Sequence, residues 1–248
     1  MSRIKFLNTY IDNLTMKETV LRIDEIIKKG KPSYVVTPNV DHIVKLEKDE
    51  EFKKVYSEAD LIVTDGMPLI WISKLLKTPI KEKVSGSDLF PKVCELAAEK
   101  NYTLFLLGAA TGVAEKAAKN LCKKYKGLDI VGMYSPSYGF EENENEINKI
   151  IRMINGCKPD ILAVGLGAPK QEKFIYKYKE QLGVPISLAI GATIDFEAGN
   201  IKRAPKWMQK SGFEWFYRLC KEPKRMFKRY IIDDLKIIKI AYKYRKVI

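Results

Sequence analysis

Histidine is nearly absent: His42 is alone among 248 residues. That leaves no material for a His-rich metal centre and argues against a Ser–His–Asp triad. Four cysteines, Cys94, Cys122, Cys157 and Cys220, form no C-x-x-C pair. They read as reduced, buried thiols of a cytosolic protein. No Asp-x-Asp pair occurs, the device that often holds a divalent metal on a nucleotide diphosphate. An anionic diphosphate would therefore be met by Lys, Arg and helix N-termini, with no metal and no cofactor expected. Neither the dinucleotide G-x-G-x-x-G fingerprint nor a P-loop is present. No stretch approaches the eighteen or so apolar residues of a membrane span. Met1-Ser2-Arg3-Ile4 lacks the apolar core of a signal peptide. Internal repeats and low-complexity segments are also missing.

Charge is plentiful and unevenly placed. The chain carries a net +13, of which residues 200–248 hold +11, from fifteen Lys/Arg against four Asp/Glu. Residues 1–199 are close to neutral at +2. A localised basic segment implies an anionic partner: lipid headgroups, nucleic acid or a phosphorylated substrate.

A β-then-α rhythm fills residues 15–199. Thr15-Met16-Lys17-Glu18 is a capping box that opens a helix to about Lys29. Short apolar, β-branched runs follow at 34–37, 61–65, 103–108, 128–133, 161–165 and 186–191, with helical stretches at 88–100, 113–125 and 144–156. Strands hydrophobic throughout, alternating with helices, predict a Rossmann-like α/β core: a mostly parallel sheet covered by helices on both faces. Beyond Gly199 the texture changes to basic, aromatic and helical, with a break at Glu222-Pro223. The expected division is a catalytic core, 1–199, and a C-terminal appendage, 200–248.

Ligands of open parallel sheets bind beyond the carboxyl ends of the strands. The residues found there are Thr37-Pro38-Asn39, Asp65-Gly66-Met67-Pro68, Gly108-Ala109, the block 165–172 and Gly191-Ala192-Thr193-Ile194-Asp195. Small, polar and acidic residues thus converge on one edge, the composition of a nucleotide-type pocket. Asp65 ends an apolar strand, where it is either a base facing the cleft or an N-cap for a helix starting near Met67. Thr37 and Asn39 serve turn and cap chemistry, or hydrogen-bond a sugar or diphosphate. His42 reads as a helix residue rather than a ligand. In the block 165–172, Gly165 and Gly167 let backbone approach a phosphate at a helix N-terminus, while Lys170 and Gln171 add polar reach.

The tail reads as two parts. The segment 203–218 mixes aromatics with cations. From Pro223 onward, a helical wheel puts Arg225, Arg229, Lys236, Lys239, Lys243 and Lys246 in one arc and Phe227, Ile231, Leu235, Ile238 and Tyr242 nearly opposite. That is a basic amphipathic helix suited to a membrane surface, or alternatively a docking helix whose apolar stripe packs on the core.

Taken together, Thr37-Pro38-Asn39, Asp65-Gly66-Met67-Pro68, Gly86-Ser87-Asp88, the block 165–172, Gly191 through Phe196, Arg203-Ala204-Pro205 and the segment 214–223 resemble the WecG/TagA/CpsF glycosyltransferases, most closely the TagA branch. The resemblance runs in order over nearly the whole chain. It implies a metal-independent, inverting transfer of N-acetylmannosamine from UDP to the 4-hydroxyl of N-acetylglucosamine on undecaprenyl diphosphate, in wall teichoic acid linkage-unit synthesis. By motif, Asp65 would be the general base, with Thr37 beside it and Asn39 at the sugar or acceptor. Gly108, Gly165, Gly167, Lys170, Gln171, Gly191 and Asp195 would line the donor pocket. Arg218, Arg225 and Arg229 would close over the site and bind diphosphate. Lys83 departs from the pattern, which has Arg there; lysine keeps the charge and loses the bidentate fork. The implied location is the cytoplasmic face of the cell membrane, bound peripherally to an anionic surface and open to homo-oligomer formation, with no nucleic-acid partner. The alternatives are another donor such as UDP-N-acetylmannosaminuronic acid, a dinucleotide-binding oxidoreductase, or a nucleic-acid-binding protein that uses the tail.

Overall fold

The computed structural model describes residues 3–245, apart from the side chains of Lys210, Arg225 and Arg229. It opens on an antiparallel hairpin, β1 (Arg3–Phe6) and β2 (Thr9–Asp12), which the sequence reading did not foresee. The turn carries Leu7 at φ 52°, an unusual residue for that conformation. Leu7 is fully buried, and Asn8 Nδ2 donates to Ile43 O at 2.9 Å and Glu47 Oε1 at 2.8 Å. These tertiary contacts help hold the hairpin.

Next comes α1 (Met16–Lys29), which begins at the capping box: Glu18 N donates to Thr15 Oγ1 and Thr15 N to Glu18 Oε2. It is followed by β3 (Tyr34–Val36), α2 (Val40–Leu46), α3 (Glu50–Ser57), β4 (Leu61–Ile62), α4 (Met67–Leu75) and α5 (Gly86–Lys100). Then come β5 (Thr103–Gly108), α6 (Val113–Lys124), β6 (Asp129–Tyr134), α7 (Glu144–Cys157), β7 (Ile161–Gly165), α8 (Lys170–Leu182), β8 (Ile186–Ala189) and α9 (Thr193–Glu197). Strands β3 to β8 form one parallel sheet in the order β4-β3-β8-β7-β5-β6. The Rossmann-like α/β expectation therefore holds.

Side chains alternate between two apolar layers. Tyr34, Val36, Phe105, Leu107, Leu162 and Val164 join the layer that includes α2, α3, α7 and α8. Val35, Leu104, Leu106, Ile161 and Ala163 join the layer that includes α1, α5, α6 and α9. Burial on both faces explains why these strands are hydrophobic throughout. Strand β4 is shorter than expected. After Ile62 its pairing thins to Val63 N on Val36 O and Asp65 N on Pro38 O, because Pro38 has no N–H to return.

The tail contains α10 (Lys206–Ser211), α11 (Glu214–Lys221), α12 (Pro223–Phe227) and α13 (Ile237–Tyr244). Between the last two, a π-helical segment (Lys228–Asp233) and a 3-10 turn (Asp234–Lys236) replace the single continuous helix expected. Both change the rotation per residue, so one wheel does not describe the segment. The apolar set that docks is not the predicted stripe: Ile237 and Ile240 join the core layer beside α2, and Met226 is also buried. Phe227, Ile231, Leu235, Ile238 and Tyr242 stay 37–65% exposed. Of the predicted basic arc, Lys236 pairs with Asp233 and Lys243 with Glu47. Lys246 and the side chains of Arg225 and Arg229 lie outside the described residues. All four cysteines are free, but Cys122 and Cys220 are exposed rather than buried.

Candidate active site

The carboxyl ends of four adjacent strands, β4, β3, β8 and β7, open into a cleft of about 860 Å³ whose far wall is the tail. Asp65 lines it, half-buried. The N-cap of α4 is Gly66, at φ 98°, so Asp65 stands one residue ahead of the cap position. The capping alternative thus does not describe it. Thr37 and Asn39 reach the cleft from the end of β3. Asn39 lines the cleft, and its Oδ1 accepts from His42 N at 3.2 Å as the N-cap of α2, the cap role read for it.

His42 belongs to α2, as read, and also forms cleft wall. Its Nδ1 lies 2.6 Å from Tyr56 Oη. Burial raises the Tyr56 phenol well above its ordinary value, and the negative charges of Glu172, Asp65 and Asp41 push the same way. Tyr56 therefore stays neutral beneath the acid side of the cleft. One turn after Asp41, Lys45 pairs with Asp41 at 2.7 Å and donates to Ala168 O at 3.2 Å, tying α2 to the loop before α8.

On the opposite side, Gln171 organises two glycine turns. Its Oε1 accepts from Gly191 N at 3.0 Å and Gly167 N at 3.3 Å. Gln171, Gly167 and Gly191 all line the cleft. Gly108, Gly165, Lys170 and Asp195 do not belong to its lining. Gly108 and Gly165 are packing positions: a Cβ on Gly108 would sit 2.4 Å from Gly165 O, and one on Gly165 would sit 2.7 Å from Gly191 O. They let neighbouring strand ends close up, and β5 lies one strand beyond the cleft. Lys170 points to the surface, paired with Glu141. Asp195 sits within α9.

Lys83 lines the cleft but is engaged with Asp88 at 2.7 Å. Burial alone would raise the Asp88 carboxyl. The Lys83 and Ser85 hydrogen bonds and the charges of Lys83 and Arg203 hold it below its ordinary value. Arg203 meets Asp88 at 2.9 Å and Glu214 at 3.7 Å, so this carboxylate joins the core to the tail at the rim. From the tail, Arg218 reaches the cleft with its Nε buried and without a hydrogen-bond partner. Phe196, Trp215 and Tyr230 supply aromatic surface in the wall. The sequence pointed to no site role for these rings or for Lys45, and marked His42 as a helix residue only. Helical spacing from placed residues was the available signal: His42 is three residues beyond Asn39, and Trp215 is three before Arg218.

The arrangement sets the Asp65 carboxylate at the strand ends of a pocket that also holds Asp41, Glu214, Asp233 and Asp234, cations and aromatic rings. That combination suits deprotonation of a hydroxyl beside an anionic, ring-containing ligand. Among the described residues, no three His, Cys, Asp or Glu side chains cluster as metal ligands. None of the helices they form is long and apolar enough to cross a membrane.

Comparison with known proteins bears on this site. The chain is similar to enzymes named N-acetylglucosaminyldiphosphoundecaprenol N-acetyl-beta-D-mannosaminyltransferase. It is 31% identical to that of Bacillus spizizenii over 199 residues, 80% of this chain and 75% of the relative. It is 33% identical to that of Bacillus subtilis over 178 residues, 72% and 67% of the two chains. With that of Staphylococcus aureus strain MW2 the identity is 28% over 249 residues, 99% and 96% of the two. The description "Glycosyl transferase WecG/TagA/CpsF family" matches residues 4–247, and the chain belongs to this family of glycosyltransferases.

Proposed function

We propose that this enzyme transfers N-acetylmannosamine from UDP-N-acetylmannosamine to the 4-hydroxyl of N-acetylglucosamine on undecaprenyl diphosphate, with Asp65 as general base. The observation that carries the reading is the half-buried Asp65 carboxylate in the cleft wall, ahead of the α4 cap, in a chain whose relatives bear that transferase name. Asp65 takes the hydroxyl proton. The oxygen attacks the anomeric carbon from the face opposite UDP, and the C–O bond to the diphosphate breaks. A single displacement inverts the anomeric centre. Charge building on the departing UDP is met by Arg218 and Lys83, beside the glycine turns that Gln171 holds, without a metal in this reading. Thr37 and Asn39 hold the acceptor sugar, and Arg225 and Arg229 join Arg218 at the diphosphate.

Residues 200–248 act in this reading as an appendage that binds the cytoplasmic surface of the membrane and completes the site. The +11 charge of that segment and the exposed Phe227, Ile231, Leu235, Ile238 and Tyr242 support it. Each cation near an anionic leaflet contributes about 1 kcal/mol. The same stripe would also serve a second copy of the chain, so sedimentation with anionic vesicles is paired with a measurement of oligomeric state.

The deciding assay uses purified protein, a short-chain lipid-diphosphate N-acetylglucosamine and a panel of UDP-sugars. Turnover with UDP-N-acetylmannosamine and a β-linked product is expected. Faster turnover with the uronic acid donor would move the reading to the alternative donor, and an α-linked product would remove the single displacement.

A further inference from the structure

Glu172 is fully buried at the start of α8, next to a cleft-lining residue, and has no part in the chemistry above. Its Oε1 accepts from Gln171 Nε2 at 2.7 Å, and its Oε2 has no hydrogen-bond partner. A buried carboxyl satisfied on one side is costly, and a stability role alone does not explain it. Gln171 explains it better. An amide can be turned either way, but here Oε1 must face the two N–H donors of Gly167 and Gly191, 3.3 Å and 3.0 Å away. A reversed amide would set NH2 against N–H. The acceptor that claims the other end, and so locks the orientation, is Glu172.

We infer that Glu172 is a positioning residue: by accepting the Gln171 amide hydrogen it fixes the two glycine turns at the ends of β7 and β8 in the shape that receives the nucleoside diphosphate of the donor. The inference rests on the donor reading above. It differs from a packing role in what it demands of position 172, namely an acceptor rather than a charge or a volume. Burial holds the Glu172 carboxyl up at about 7, with the charge of Lys45 pulling down and that of Asp41 pushing up. The site thus tolerates a neutral acceptor, and a glutamine there would turn its own Oε1 toward Gln171 Nε2.

The test measures UDP affinity by calorimetry, and donor KM and kcat, for the full chain, for Glu172→Gln and for Glu172→Leu. Glu172→Met stands in should the leucine variant fail to fold. Expected are UDP binding by the natural chain, affinity within about twofold for Glu172→Gln, and a loss of about tenfold for the apolar variant through the stranded amide. Donor KM should rise with it while kcat at saturating donor changes far less, and the melting temperature should not fall in proportion. Undiminished UDP affinity in the apolar variant would overturn the inference alone. An equal loss in Glu172→Gln would also overturn it, since charge rather than acceptance would then matter. Absence of UDP binding by the natural chain would overturn the donor reading and this inference with it.

Discussion

Glu172→Gln exchanges a fully buried carboxyl for an amide of nearly the same shape, and its effect on stability should depend on pH. Burial raises the carboxyl from an ordinary 4.5 to about 7, opposed by the Gln171 hydrogen bond and the charge of Lys45. Below about pH 4.5 the group is protonated in both folded and unfolded chains and has no differential effect. Between 4.5 and 7 the unfolded chain ionises first, so this residue's contribution to stability falls as pH rises. Above 7 the folded carboxyl is ionised as well and the loss is complete. At 1.36 kcal/mol per tenfold, the rise corresponds to about 3 kcal/mol. The assay is urea unfolding of both proteins at pH 4.5, 6 and 8. Differencing the two proteins at each pH cancels all other titrating groups, including lowered carboxyls such as Asp88, whose pH dependence has the opposite sign. Relative to the natural chain, Glu172→Gln should gain about 3 kcal/mol between pH 4.5 and 8. A difference that stays flat within 0.5 kcal/mol, an illustrative threshold of roughly one weak hydrogen bond, would refute the reasoning, because the carboxyl would then titrate alike in both states.

Gly212→Ala should detach the tail from the cleft: at φ +83° its Cβ would lie 2.8 Å from Met67 Cβ and 2.9 Å from Trp71. Steady-state kinetics should show at least a roughly tenfold loss of activity, with the core's melting transition retained. Thr15→Ala removes the cap of α1, a helix that does not line the cleft; denaturant unfolding should report a loss of about 1 kcal/mol, with kcat unchanged. Leu235→Ser with Ile238→Ser, at two exposed positions, should weaken sedimentation with anionic vesicles while leaving the fold's circular dichroism intact. Undiminished sedimentation would take the stripe out of the membrane reading.

Much of the core was legible because its signals are local. Thr15 and Glu18 announce α1 by themselves, and strands buried on both faces carry uninterrupted Val, Ile and Leu. Strand order is not local, and the site reflects that. Asp65, Thr37, Asn39, Gly167, Gln171 and Gly191 meet because β4, β3, β8 and β7 are neighbours, whereas Gly108 ends a strand one place further out. The N-terminal hairpin was hard to read because Leu7-Asn8 lacks the glycine of the usual two-residue turns; burial of Leu7 and the hydrogen bonds of Asn8 support the turn. In the tail the composition was informative and the wheel was not. With the π-helical segment at Lys228–Asp233 interrupting the helix, the docked residues are Ile237 and Ile240, while the predicted stripe stays largely exposed, with Ile231 and Leu235 at the cleft.

The account turns on Asp65 as the base, and Asp65→Asn tests it most directly. Asparagine keeps the shape and most of the hydrogen bonding but does not take a proton at neutral pH. Turnover of UDP-N-acetylmannosamine with the lipid-diphosphate acceptor should fall about 10²–10⁴-fold, with UDP affinity and the unfolding transition unchanged. Turnover within about threefold of the natural chain, far short of what loss of a general base costs, would contradict it.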